Sequence, residues 1–112
     1  GPATAIRLTA DRDVIDADGK DMSFITVEII DKDGNLVPYA DNLVQFDVRG
    51  CCFVAGVDNG SQTSMEPFKA SQRKTFNGKA LVVLQNDGKR GKATLAAISE
   101  GLTPASLTLR AR

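Results

Sequence analysis

Histidine and tryptophan are absent from this chain, tyrosine occurs once and cysteine twice. Without histidine there is no imidazole base, the commonest partner of an activated nucleophile and the most frequent metal ligand. Two adjacent cysteines, Cys51 and Cys52, do not supply the four ligands of a zinc site. Zinc chemistry is excluded, and no cofactor is expected. Charge of one sign is missing too: 14 Lys and Arg balance 14 Asp and Glu, for a formal net charge of +0. Phosphate neutralisation needs a basic face, so nucleic acid is not an expected partner. No apolar run approaches the roughly 20 residues of a membrane helix, and no membrane span is expected. No signal peptide is visible, but Gly1-Pro2 reads as a protease-cleavage scar, so this fixes no compartment.

What remains is an ordinary globular composition, 42% hydrophobic and 25% charged over 112 residues. That length suits one domain, spanning residues 1–112. Ile6 and Leu8 alternate with Arg7 and Thr9, the pattern of a half-buried strand. Val14-Ile15 is a short apolar pair, and Asp16 to Asp21 is a turn around Asp18-Gly19. Met22 to Asp31 is the strongest strand, with Ile25, Val27 and Ile29 on one face and Thr26 and Glu28 on the other. After a turn at Asp31 to Asn35 and a connection through Pro38, Val44, Phe46 and Val48 alternate with Gln45, Asp47 and Arg49. Phe53 to Val57 is a further short strand. Lys79 to Gln85 is a nearly continuous apolar run, which predicts a strand buried on both faces. Lys92 to Ile98 and Ala105 to Arg110 complete the set. About seven short antiparallel strands at spacings of roughly ten residues predict an all-β, immunoglobulin-like sandwich.

The candidate chemistries are few. Asp16 and Asp31 each open an Asp-x-Asp-Gly-like run, but Lys20 occupies the fifth position of the first, and Leu36 and Asn42 the sixth and twelfth of the second. Neither is a calcium loop of the EF-hand kind, and turn capping is the expected role. Glycoside hydrolysis needs two carboxyl groups facing each other at about 5 Å or about 6.5–9.5 Å. With only Glu28, Glu66 and Glu100 among the glutamates, and Glu28 on an outer strand face, no such pair is indicated. Cα atoms of neighbouring residues lie about 3.8 Å apart, short of the roughly 4.4–6.8 Å of a disulfide. Cys51 and Cys52 are therefore expected to be an inert pair, one buried and one exposed on extended backbone. Phe24, Phe46 and Phe53 are expected in the core, which leaves Tyr39 as the one exposed aromatic platform. Asn59-Gly60-Ser61 fits a glycosylation sequon, although a tight Asn-Gly turn explains it equally well.

Residues 54–78 break the strand pattern and carry two Asn-Gly turns. Within them, Gly56 to Ala70 (G-V-D-N-G-S-Q-T-S-M-E-P-F-K-A) and Arg73 to Ala80 (R-K-T-F-N-G-K-A) resemble the C-terminal immunoglobulin-like domain of bacterial glycoside hydrolase family 2 β-galactosidases. The family pattern runs roughly G-V-G-N-G-D-P-x-S-x-E, then R-x-x-F-N-G, then A-x-S-x-G-L, matched here by Ala97 to Leu102. Leu8 to Arg12, Ala17 to Asp21, Ile25 to Glu28 and Val37 to Asn42 are similar to it as well. Cys52 and Asp58 depart from it, each standing where the family commonly has glycine.

The resemblance implies a non-catalytic accessory domain, whose partners are the catalytic and other domains of a larger polypeptide. It also implies a periplasmic or extracellular β-galactosidase as parent. A carbohydrate-binding module and an adhesin-type repeat are the alternatives. Candidate loop or interface residues are Tyr39, Asn59, Gln62, Glu66 and Arg73, with Arg73 and Glu66 expected to pair and pin the long loop. Phe68 and Phe76 are expected to bury against the sandwich.

Overall fold

The structure, a computed structural model, describes residues 2–58 and 72–112. Among them are nine strands: β1 (Ala5–Ala10), β2 (Val14–Ile15), β3 (Met22–Ile30), β4 (Leu43–Gly50), β5 (Cys52–Asp58), β6 (Gln72–Lys74), β7 (Lys79–Asn86), β8 (Gly91–Ile98) and β9 (Ala105–Ala111). Seven of the nine are six residues or longer; β2 has two residues and β6 three. They form a four-stranded sheet, β1-β3-β7-β5, and a five-stranded sheet, β2-β9-β8-β4-β6. The expected immunoglobulin-like sandwich is what forms. Every strand pair is antiparallel except β2 with β9, which is parallel.

Period-two alternation puts the apolar rows between the sheets. Ile25, Val27 and Ile29 of β3 and Val82 and Leu84 of β7 face Val44 of β4, Leu95 of β8 and Leu109 of β9 in one buried cluster. Each such aliphatic side chain contributes roughly 1.5–3 kcal/mol by leaving water. β7 is central in its sheet and nearly buried along its length, as its apolar run predicts.

Turn chemistry sets the corners. Asn77 (φ 54°) and Gly78 (φ 79°) both take left-handed backbone. Phe76 and Lys79 exchange backbone hydrogen bonds of 2.9 and 3.1 Å across them. Positive φ at both central residues is the requirement of a type I′ hairpin, which Asn-Gly meets best.

Two expectations about burial need correction. Phe46 is buried, but Phe24 and Phe53 are 42% and 44% exposed. Phe24 is in phase with Thr26 and Glu28, so a strand whose other row is already Ile25, Val27 and Ile29 turns it outward. Phe76 is also exposed, because it sits at the mouth of the hairpin rather than within a sheet. Phe68 lies outside the described residues.

Candidate functional site

Tyr39 lies in the connection between β3 and β4, which is tied down on both sides of it. Val37 is buried and its amide donates to Ile29 O, while Ala40 O accepts from Gly78 N and from Thr75 Oγ1. These anchors leave the Tyr39 side chain 71% exposed, as expected of a platform. Arg73 is the opposite case. It occupies the inner row of β6 opposite Val44, is only 3% exposed, and donates from Nη2 to Val57 O of β5 at 2.9 Å. Arg73 thus connects the two sheets from inside and presents nothing to a ligand at the surface. Asn59, Gln62 and Glu66, and with them the Arg73–Glu66 pair and the sequon, lie outside the described residues. The two described candidates therefore make no common ligand-facing site.

The carboxylates turn toward their own chain. Asp18 Oδ1 accepts from the amides of Lys20 and Asp21, both at 2.8 Å. Asp31 Oδ1 accepts from Asp33 and Asn35 at 2.9 and 3.0 Å. Asp21 is held by Arg12 Nη2 through one oxygen and by the Asp16 amide through the other. Hydrogen bonding to the charged form favours ionisation, so Asp18 and Asp31 are pushed below the ordinary carboxylate range by backbone amides. Asp21 reaches about 2, first through the Arg12 hydrogen bond and then through the Asp16 amide. Glu28 is paired with Arg7 at 3.0 Å. Capping, the expected role, is what Asp18, Asp21 and Asp31 do.

Both thiols are buried, Cys51 at 4% and Cys52 at 6% exposure, and both are free. The expectation of one buried and one exposed fails for a local reason. Gly50 (φ 105°) ends β4, and Cys51 sits in the bend that carries the chain into the other sheet. Alternation does not extend through such a corner. Burial and the neighbouring Cys51 push the Cys52 thiol up to about 12, far from the range of a reactive cysteine.

An open groove of about 600 Å³ lies between β4 and the turn after β8, lined by Asn42, Leu43, Gln45, Ile98, Ser99 and Glu100. Its described lining combines the aliphatic Leu43 and Ile98, both exposed, with the amides of Asn42 and Gln45 and the carboxylate of Glu100. Ser99 Oγ, the one hydroxyl among the described lining residues, is spent on Leu43 O at 2.8 Å. Nucleophilic catalysis needs a hydroxyl or thiol next to a base; this groove offers neither arrangement.

The family model for glycoside hydrolase family 2 C-terminal domain 5 matches residues 6–108. The chain belongs to that family. It is 60% identical over 111 residues to beta-galactosidase BoGH2A of Bacteroides ovatus, covering 99% of this chain and 13% of that protein. A solved glycosyl hydrolase family 2 member from Bacteroides cellulosilyticus superposes with a TM-score of 0.97 at 38% identity, over 100% of this chain and 14% of that one. A beta-glycosidase from Bacteroides vulgatus gives 0.94 at 32% identity, over 98% and 14%. The chain thus spans about one-seventh of the length of these relatives.

Two features of this family 2 domain escaped the sequence pattern. One is Asn86, which reads as part of a turn but is fully buried at the end of β7. Its Oδ1 accepts from Gly19 and Gly88, and its Nδ2 donates to Cys51 O and Lys89 O. The other is an apolar patch on the outer face of the four-stranded sheet, around Phe24 and Phe53. The phase of Phe24 with Thr26 was the available signal for the second; the first had none.

Proposed function

We propose that this chain is a non-catalytic accessory domain of a multi-domain family 2 glycosidase, in which other domains carry out hydrolysis. The family match over residues 6–108 carries the reading. Its side-chain chemistry supports it, since the carboxylates of Asp18, Asp21, Asp31 and Glu28 are committed to amides and arginines. Retaining and inverting hydrolysis alike need two carboxyl groups opposed across a sugar. The relative at 60% identity is a beta-galactosidase, so a β-galactoside is the substrate proposed for the parent. A periplasmic or extracellular location belongs to the same proposal, and fractionating cells with an antibody to this domain tests it.

Pure 112-residue chain is expected to give no turnover of an aryl β-galactoside, whereas the parent polypeptide hydrolyses it. Measurable turnover by the pure chain would sink the proposal. A carbohydrate contact is a second reading, favoured by the exposure of Tyr39 and by the amide-lined groove at Asn42, Gln45 and Glu100. Titrating lactose against amide NMR shifts decides it: no shift at millimolar sugar removes it.

A further inference from the structure

A sandwich sheet that meets only water carries polar side chains on its outer face. Half of the outer face of β1-β3-β7-β5 obeys this. Arg7 pairs with Glu28 across the strands, and Thr9 stands opposite Thr26. The other half does not. Met22, Gln85 and Phe53 are neighbours in one cross-strand row, and Phe24, Val83 and Gly56 in the next. A β-bulge between Val54 and Gly56 keeps Val54 and Val57 both turned toward the core while it brings Ala55 to the outer side. The result is a shallow depression of about 240 Å³ lined by Met22, Phe24, Ala55 and Val83. Met22, Phe24 and Phe53 are 37%, 42% and 44% exposed around it.

We infer that this patch docks an apolar surface of a neighbouring domain of the same family 2 polypeptide; the inference rests on the accessory-domain reading above. The chemistry selects the occupant. Among the described residues the two rows themselves carry no charge. The charges flanking them beside β3 are already committed, Asp11 to the Phe24 amide and Ser23 Oγ and Arg12 to Asp21 and Met22 O, so the complement is apolar rather than ionic. With one amide, Gln85, the rows lack the converging donors and acceptors that fix a sugar. The area decides between a tethered and a free protein partner. Three half-exposed side chains offer on the order of 250 Å², well short of the roughly 800 Å² per partner of a stable free dimer. A partner on the same chain is held at about millimolar effective concentration. Contacts between domains of one chain begin at about 600 Å² in total, about 300 Å² per side, which is close to what these side chains offer. Such a partner is available, because the chain covers only 13% of BoGH2A and 14% of the Bacteroides cellulosilyticus structure.

Hydroxyl-radical footprinting of the full-length polypeptide tests this, comparing each residue with itself in wild type and in Phe24→Glu. Wild-type Met22 and Phe53 are expected to be modified at least about fivefold more slowly than in the variant, at every protein concentration. Because Phe24 is half-exposed, the variant keeps its core, and continued protection of Cys51 and Cys52 from alkylation verifies that. Equal rates in wild type and variant overturn the inference. So does protection that fades on dilution, which means a second copy, or protection that appears only with added lactose, which means a sugar site. None of these touches the accessory-domain reading, which fails only if the pure chain hydrolyses the aryl galactoside.

Discussion

Asn86 shows how one side chain can hold three segments together: the turn at Gly19, the corner at Cys51 and its own turn at Gly88-Lys89. Its oxygen accepts from Gly19 at 2.9 Å and Gly88 at 2.7 Å, and its nitrogen donates to Cys51 O at 3.1 Å and Lys89 O at 2.9 Å. All four capacities of the amide are used, in a position with 0% exposure. Truncation removes all four bonds, but Gly88 and Lys89 are exposed to water and Cys51 O keeps the Asp87 amide at 3.0 Å, so each lost bond costs about 0.5–1.5 kcal/mol rather than a full desolvation penalty. Asn86→Ala is therefore expected to lose about 2–3 kcal/mol in urea denaturation, a sizeable share of the roughly 5–15 kcal/mol of a domain. A midpoint within error of wild type would remove Asn86 from this role. Asp21 makes a prediction in pH instead. Its folded value, about 2, lies below the ordinary 3.8 because Arg12 and the Asp16 amide hold the charged form. A depressed carboxylate stabilises the fold above its unfolded value and loses that contribution as pH falls through the folded one. Melting temperature should thus fall between about pH 4 and pH 2, and Asp21→Asn should make that limb shallower; an identical acid limb in the variant refutes it.

At the scale of strands and corners, Gly50 and Gly34 separate two kinds of glycine requirement. Gly34 has φ 83° and open space around a would-be Cβ, so Gly34→Ala meets only the left-handed backbone penalty of about 1–2 kcal/mol. At Gly50 φ is 105°, and a Cβ would stand 2.1 Å from Lys92 O. That carbonyl accepts from Cys51 N and cannot retreat without opening the β4–β5 corner. Gly50→Ala should cost more than Gly34→Ala by at least about 2 kcal/mol in chemical denaturation, and equal costs would contradict the close approach. Arg73 makes the same kind of test across the sheets. Arg73→Ala is expected to lower stability by about 2–3 kcal/mol, with Arg73→Met recovering the packing share of its stem; an unchanged melting temperature counts against the strut. These elements differ in how far the sequence disclosed them. β1, β3, β4, β7, β8 and β9 follow from alternation or apolar runs, because each is long enough to show a period. β6 has three residues and a buried arginine, so it shows none. β5 was visible only as a short run, since its bulge resets the phase between Val54 and Val57. Of the candidate residues, Tyr39 was legible because loop aromatics expose themselves, whereas the burial of Arg73 depends on which strand lies opposite it, which only the assembled sheets decide.

For the whole molecule, the two buried thiols report on cooperative opening. Cys51 and Cys52 sit where β4 of one sheet passes into β5 of the other, so the two sheets must come apart before a reagent can enter. Only thiolate reacts, and burial, with Cys51 beside it, pushes the Cys52 thiol up to about 12, which keeps it in the unreactive form at pH 8. Burial thus blocks access to both thiols and ionisation of Cys52, and unfolding releases them together. Ellman's reagent at pH 8 should therefore react with the native chain far more slowly than with the unfolded one. The rate should climb steeply with urea in step with loss of the β signal in circular dichroism, because the opened state it samples is the globally unfolded one. A native rate that does not depend on urea would instead mean a local opening at the β4–β5 corner. Thiols reacting at the free-cysteine rate without denaturant would mean that the two sheets do not close over this corner at all.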